Sequence, residues 1–245
     1  MKKEQATVEF LHQHLGFTRE EIVSNDNRAL RYSCDNTDHG LEIARYLVET
    51  FQLRGLDVRQ YDWGSGNALD ICCRRGNVPL VRYLLTIVQR DTKDMDRAVL
   101  LDIAHCALCT AVEEDQAEVM KVIVEECKLT WENMQNWWIM NTACTHGRRK
   151  SVEFLCQHFE LTVDYFRTTW PSPFRAAVFR GNYHIAEYFR TRYQLTETDL
   201  TRTPPVPGLD REQYNLSLAM MQRHSEREQQ YVSEYLEKTF GVRLE

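Results

Sequence analysis

The sequence predicts an all-α fold, a solenoid of helix-turn-helix units, on three observations. Similar segments recur along the chain at intervals in the middle thirties. Each segment reads as a helix, a tight turn and a second helix. Only 10 glycines and 6 prolines occur in 245 residues, with few alternating stretches that would make strands.

The recurrence is clearest between TVEFLHQHLGFT (7–18) and SVEFLCQHFELT (151–162), identical at seven of twelve positions. An aromatic or aliphatic pair marks each second helix. It falls at Phe10-Leu11, Tyr46-Leu47, Tyr83-Leu84, Val122-Ile123, Phe154-Leu155, Tyr188-Phe189 and Tyr235-Leu236. The successive spacings are 36, 37, 39, 32, 34 and 47 residues. A period of this length is that of a helical solenoid.

Residues 1–26 read as an N-terminal cap, and 27–200 as about five repeats. The repeats are ALRYSCDNTDHGLEIARYL (29–47), NALDICCRRGNVPLVRYLL (67–85), ALCTAVEEDQAEVMKVI (107–123), IMNTACTHGRRKSVEFL (139–155) and SPFRAAVFRGNYHIAEYF (172–189). Their first helices are small and apolar and stop at Gly76, Gly147 and Gly181, where a left-handed cap suits glycine. Asp115 takes that place in the 107–123 unit. The second helices carry apolar residues at helical spacing, as in Leu80, Val81, Leu84 and Leu85.

The linkers GFTREEI (16–22), KLTWENM (128–134), ELTVDYF (160–166) and QLTETDL (194–200) predict short third helices. Thr18/Glu21 and Thr196/Asp199 are N-cap pairs. Thr130 and Thr162 lack an acid at that spacing, which predicts weaker caps. Residues 201–210 form a Pro-rich loop, its P-x-x-P read as a rigid linker. Residues 211–245 read as a polar helical cap at the C-terminus.

Gly66 to Cys73 followed by Gly76 resembles the ankyrin pattern G-x-T-P-L-H-x-A-A-x-x-G-H. Ser172 to Val178 with Gly181-Asn182 resembles it too. Helical linkers in place of β-hairpins are similar to those of the divergent ankyrin-like proteins of giant DNA viruses and their amoebal hosts. The resemblance implies first helices along a concave face and second helices outside. It also implies a non-catalytic scaffold or adaptor that binds another protein, in the host cytoplasm if the chain is viral.

The remaining features constrain chemistry. A net charge of −6 argues against nucleic acid as the partner. The start, MKKEQATVEF, has no apolar leader, and Asp102 and His105 break the longest apolar run, so no membrane partner is expected. Eight cysteines without signs of secretion predict reduced thiols in a cytoplasmic compartment. Cys34, Cys73 and Cys144 share one repeat position, and Cys72 matches Ser33, Ala111, Ala143 and Ala177, so these thiols should pack between helices. Cys106 and Cys109 make a single C-x-x-C beside His105. Core packing is expected there, because structural zinc wants four ligands and no second pair exists.

No nucleotide loop, nucleophile elbow or zincin motif occurs, so neither catalysis nor a cofactor is expected. A metal-binding or enzymatic protein centred on Cys106/Cys109 is one alternative, and a self-associating homo-oligomer another. His14 and His158 are equivalent and predict a structural role at a helix end. Trp63, Trp137, Trp138 and Trp170 fall in linkers, either wedged between units or exposed as partner anchors.

The candidate partner-binding residues are the divergent first-helix positions. They are Tyr32 and Asp35, Arg74 and Arg75, Glu113 and Glu114, Thr145 and His146, and Phe179 and Arg180. Stacking constrains the second-helix anchors, so divergence gathers where stacking does not. Arg75, Phe179 and Arg180 lead the set, because arginine and large aromatics carry disproportionate binding energy.

Overall fold

A computed structural model describes residues 3–36, 38–59, 66–91, 97–135, 138–169, 172–201, 234–235, 237–239 and 241. These residues are helical with no β-strand among them, and they divide into two compact units, Met1–Trp137 and Trp138–Glu245. The Pro-rich loop beyond Thr201, most of the C-terminal cap, and Trp63, Trp137 and Trp170 lie outside the described residues.

The first unit holds α1 (Lys3–Leu15), α2 (Arg19–Asp35), α3 (Gly40–Thr50), α4 (Gly55–Val58), α5 (Ala68–Arg75), α6 (Val78–Asp91), α7 (Arg97–Glu113), α8 (Ala117–Glu126) and α9 (Trp131–Gln135). Helices α2, α5 and α7 pack side by side in succession. Their partners α3, α6 and α8 do the same, each across from the helix that precedes it. Helix α1 lies on α3, and α4 packs against α2 and α6. The second unit holds α10 (Ile139–Thr145), α11 (Arg149–His158), α12 (Val163–Thr168), α13 (Pro173–Phe179), α14 (Tyr183–Tyr193) and α15 (Glu197–Thr201). There α10 packs on α11 and α13, and α14 on α13 and α11. Tyr235 stacks on Tyr183 with ring centroids 4.2 Å apart.

Three of the helix pairs turn in the same way. After α5, the Gly76 N–H donates to Cys73 O at 3.1 Å and the Asn77 N–H to Cys72 O at 3.0 Å. The same two bonds close the turn at Asp115/Gln116 and at Gly181/Asn182. This is the Schellman arrangement, which needs a left-handed residue. Gly76, Gly147 and Gly181 have φ of 71, 70 and 71°, and Asp115 has 55°, as the repeat register predicts.

Stacking adds a second demand at two of these turns. A Cβ at Gly76 would lie 2.6 Å from Oε1 of Gln116, and one at Gly147 2.7 Å from Oδ1 of Asn182. Gln116 Nε2 donates to Arg74 O at 3.4 Å. Asn182 Nδ2 donates to Cys144 O at 2.7 Å and to Thr145 O at 3.0 Å. The residue after one turn thus satisfies the open carbonyls at the end of the preceding first helix.

Short helices occupy the linkers at 128–134, 160–166 and 194–200, as expected, whereas the 16–22 segment opens the long α2. Thr18 and Glu21 form a complete capping box on α2. Thr196 N–H donates to Asp199 Oδ2 at 2.9 Å. Thr130 corrects the expectation of a weak cap: the Asn133 amide oxygen accepts from Thr130 N–H at 3.0 Å, replacing a carboxylate. Thr162 makes no side-chain cap. At the expected boundary between the N-terminal cap and the first repeat, α2 runs through without a break, but Asp26 and Asn27 within it have φ of 55 and 54°. The buried Asn27 Nδ2 donates to Asp57 O at 2.9 Å, which ties this bend to α4.

The core lies between the two members of each pair and between neighbouring pairs. Leu30, Leu69 and Leu108 fill it from the first helices of the first unit, and Leu80, Leu84 and Ile123 from the second helices. In the second unit Phe174, Leu155 and Phe189 do so. Each such side chain contributes roughly 1.5–3 kcal/mol of burial. Cys34, Cys72, Cys73, Cys127, Cys144 and Cys156 are buried with them, all as free thiols.

Two expectations are corrected. Phe10 and Leu11 do not anchor a core as their counterparts do; both are exposed, because among the described residues α1 packs chiefly on α3. Cys106 is exposed and Cys109 half-buried, because both sit on the side of α7 turned away from Ala104, Ala107, Leu108 and Ala111. No helix among the described residues is long and apolar enough to cross a membrane.

Candidate binding surface

The divergent positions fall towards the C-terminal ends of first helices, where most of the side chains reach solvent. In the first unit, α2, α5 and α7 bring Asp35, Arg75 and Glu114 into one row. Arg75 Nε donates to Asp35 Oδ1 at 2.7 Å, with both side chains about half exposed. That bond and the Asp35 charge raise the Arg75 pKa, and Glu114 adds to the shift. The row therefore alternates in sign from helix to helix. Because residues at the C-terminal ends of α2 and α5 meet, these two helices run in parallel.

Arg74 lies beside this row, exposed in the last turn of α5, with its carbonyl taken by Gln116. Glu113 is exposed on α7. Tyr32 is 60% exposed; Arg28 donates to its hydroxyl at 2.6 Å and lies 5.0 Å over its ring. The first unit thus gathers six of the ten candidate residues on its first helices.

In the second unit, Thr145 Oγ1 donates to Thr142 O at 3.0 Å, and His146 Nδ1 lies 2.9 Å from the same carbonyl. Arg180 is exposed after α13. Phe179 is a correction. Its ring is only 8% exposed, with the Arg175 guanidinium 5.7 Å from its centroid, so it supplies no open apolar contact. Arg175 itself is buried, filling a position that Asp70 and Asn141 hold elsewhere in the register.

The thiols at 106 and 109 are shifted towards the neutral form. Burial raises the Cys109 pKa to about 11, and raises that of Cys106 as well, with Asp102 and Asp70 adding to it. Among the described residues no group of three or more His, Cys, Asp or Glu is placed to hold a metal ion. His14 Nδ1 bonds Phe10 O at 2.8 Å and stacks on the Phe10 ring, and His158 stacks on Phe154 in the equivalent place. Both rings lie near the C-terminal end of their helix against the aromatic residue four positions earlier. Trp138 is exposed at the start of α10 with φ of 58°, while Trp131 is half-buried on α9.

One feature escaped the repeat pattern. Between α1, α2 and α3 lies an open apolar groove of about 460 Å3, lined among others by Val8, Leu11, Ala29, Tyr32, Ile43 and Leu47. Its α1 wall is the 7–18 segment that matches 151–162. No protein-family model matches the chain, and no curated protein matches it.

Proposed function

We propose that the chain is an ankyrin-like repeat array that binds a partner protein on its first-helix ends and catalyses no reaction. The observation that carries this reading is the row Asp35, Arg75 and Glu114. Helices α2, α5 and α7 stack in succession, and α5 and α7 share turn geometry, yet the three place unlike, solvent-facing charges at their ends. Side chains that stacking leaves unconstrained, on a rigid frame, supply electrostatic complementarity to a partner. The mixed signs and the net charge of −6 favour a protein over nucleic acid. Eight free thiols favour a reducing cytoplasm, that of the host if the chain is viral.

The test is affinity capture from the native cell with the wild-type chain and with Arg74→Glu/Arg75→Glu. The expected result is a protein retained by wild type and lost by the double variant, whose melting stays near wild type. A partner held equally by both moves the site off these helices. If no protein is enriched over a charge-matched control, the binding reading falls.

A further inference from the structure

The groove between α1, α2 and α3 goes beyond the charged first-helix face, and the chain itself indicates what fits it. The 7–18 segment of α1 and the turn after it matches 151–162, most of α11, at seven of twelve positions and an offset of 144. The surroundings match as well. Helix α1 packs on α3 as α11 packs on α14, and α2 packs on α3 as α13 packs on α14. In the second unit, α10 lies against both α11 and α13. In the first unit that position is the groove.

Burial follows the difference. Leu155 and Val152 on α11 are 0% exposed, whereas Leu11 is 41% exposed and Val8 half-buried. Ala176 on α13 is 2% exposed, whereas its counterpart Tyr32 is 60% exposed. Exposed apolar residues that cluster around one concavity mark an interaction site.

We propose that this groove docks a short amphipathic helix of a partner protein, laid parallel to α2 in the place that α10 holds on α11 and α13. The occupant presents small apolar residues to Val8, Leu11, Ala29 and Leu47, as Ile139, Ala143 and Cys144 of α10 are buried in the second unit. Arg28 makes the α2 rim positive, so a carboxylate in the first turn of the occupant adds a pair where the helix dipole also favours it. A second copy is a poorer occupant. The matching first helices of a folded copy, α5, α10 and α13, are already buried against their own second helices.

The probe is a fluorescein-labelled, hydrocarbon-stapled peptide of residues 138–149 carrying Asn141→Glu and Cys144→Ala. The staple is needed because so short a helix is marginal in water. It is titrated into the full chain and followed by anisotropy. Saturable binding is expected, with Leu11→Asp and Tyr32→Asp each weakening it by about tenfold or more, since either places a charge in an apolar contact. Leu56→Asp, an exposed leucine outside the groove, is expected to leave it within about twofold. Both groove residues are exposed enough for the variants to keep the wild-type melting midpoint. Binding no better than a scrambled peptide overturns the proposal, as does equal loss with Leu56→Asp. A dimer in sedimentation that Leu11→Asp splits also overturns it, in favour of a second copy.

Discussion

Gly76 and Gly181 share the same backbone conformation but not the same surroundings. At both, a side chain meets the strain of the left-handed region, worth roughly 1–2 kcal/mol. Gly76 also faces Gln116 at 2.6 Å, whereas a Cβ at Gly181 meets nothing closer than Tyr183 at 3.9 Å. Gly181→Ala is therefore expected to cost about 1 kcal/mol and Gly76→Ala more, together with the Gln116 bond to Arg74. Denaturant melts of the two variants check this; equal losses would mean that Gln116 simply moves aside. The thiols make a second residue-scale prediction. In the native chain a bulky thiol reagent should modify Cys106 first and Cys109 slowly, leaving the other six until denaturant is added. Both reactive thiols have raised pKa values, that of Cys109 to about 11, so the Cys109 rate should still be climbing above about pH 10, where an ordinary cysteine has levelled off.

The linker helices show how much a cap contributes at the scale of one element. Helix α9 has five residues and depends on the Thr130–Asn133 exchange. Asn133→Ala is expected to cost about 1 kcal/mol, and Asn133→Asp to retain the cap. A melt of both variants separates a cap from a packing role. Helix α15 is held differently. Burial works against the charge on Asp199, but the hydrogen bond from Arg167, the Thr196 N–H and the Arg167 charge outweigh it, and the carboxyl sits below its ordinary value of 3.8. A carboxylate depressed in the folded state stabilises above its unfolded pKa, and that gain is lost as pH falls through the lower folded value. Arg167→Ala should therefore lower the melting midpoint at pH 6, and the gap to wild type should close as the pH drops below 3.8. A gap that stays constant with pH would assign Arg167 a packing role only.

At the scale of the molecule, one helix sequence appears in two settings. Leu11 and Leu155 occupy matched positions, yet one is 41% exposed and the other 0%. Leu155→Ala should cost about 2–5 kcal/mol, while Leu11→Ala should change stability by less than about 1 kcal/mol. Chemical denaturation measures both, and a large loss at Leu11 would mean that the groove is closed in solution. A residue free of folding duty at a position that its counterparts bury is what a docking site requires, so this pair of variants also bears on the peptide experiment.

What the sequence by itself determined was local. The turns at Gly76, Gly147 and Gly181, the glycine-like conformation of Asp115, the Thr18 and Thr196 caps and the short linker helices are set by hydrogen bonds within about five residues. Residue type and spacing therefore predict them. Burial of the second residue in five of the seven anchor pairs was legible for a related reason, since a helical apolar stripe has to face some core. Tertiary structure decided the rest. It paired Arg75 with Asp35 forty residues away, buried Phe179 beside Arg175, turned Cys106 outward and left Leu11 open at the groove. None of these depends on the residue alone. Each depends on whether a neighbour distant in sequence covers that face, and two segments with seven identities in twelve differ in whether a first helix lies beside them.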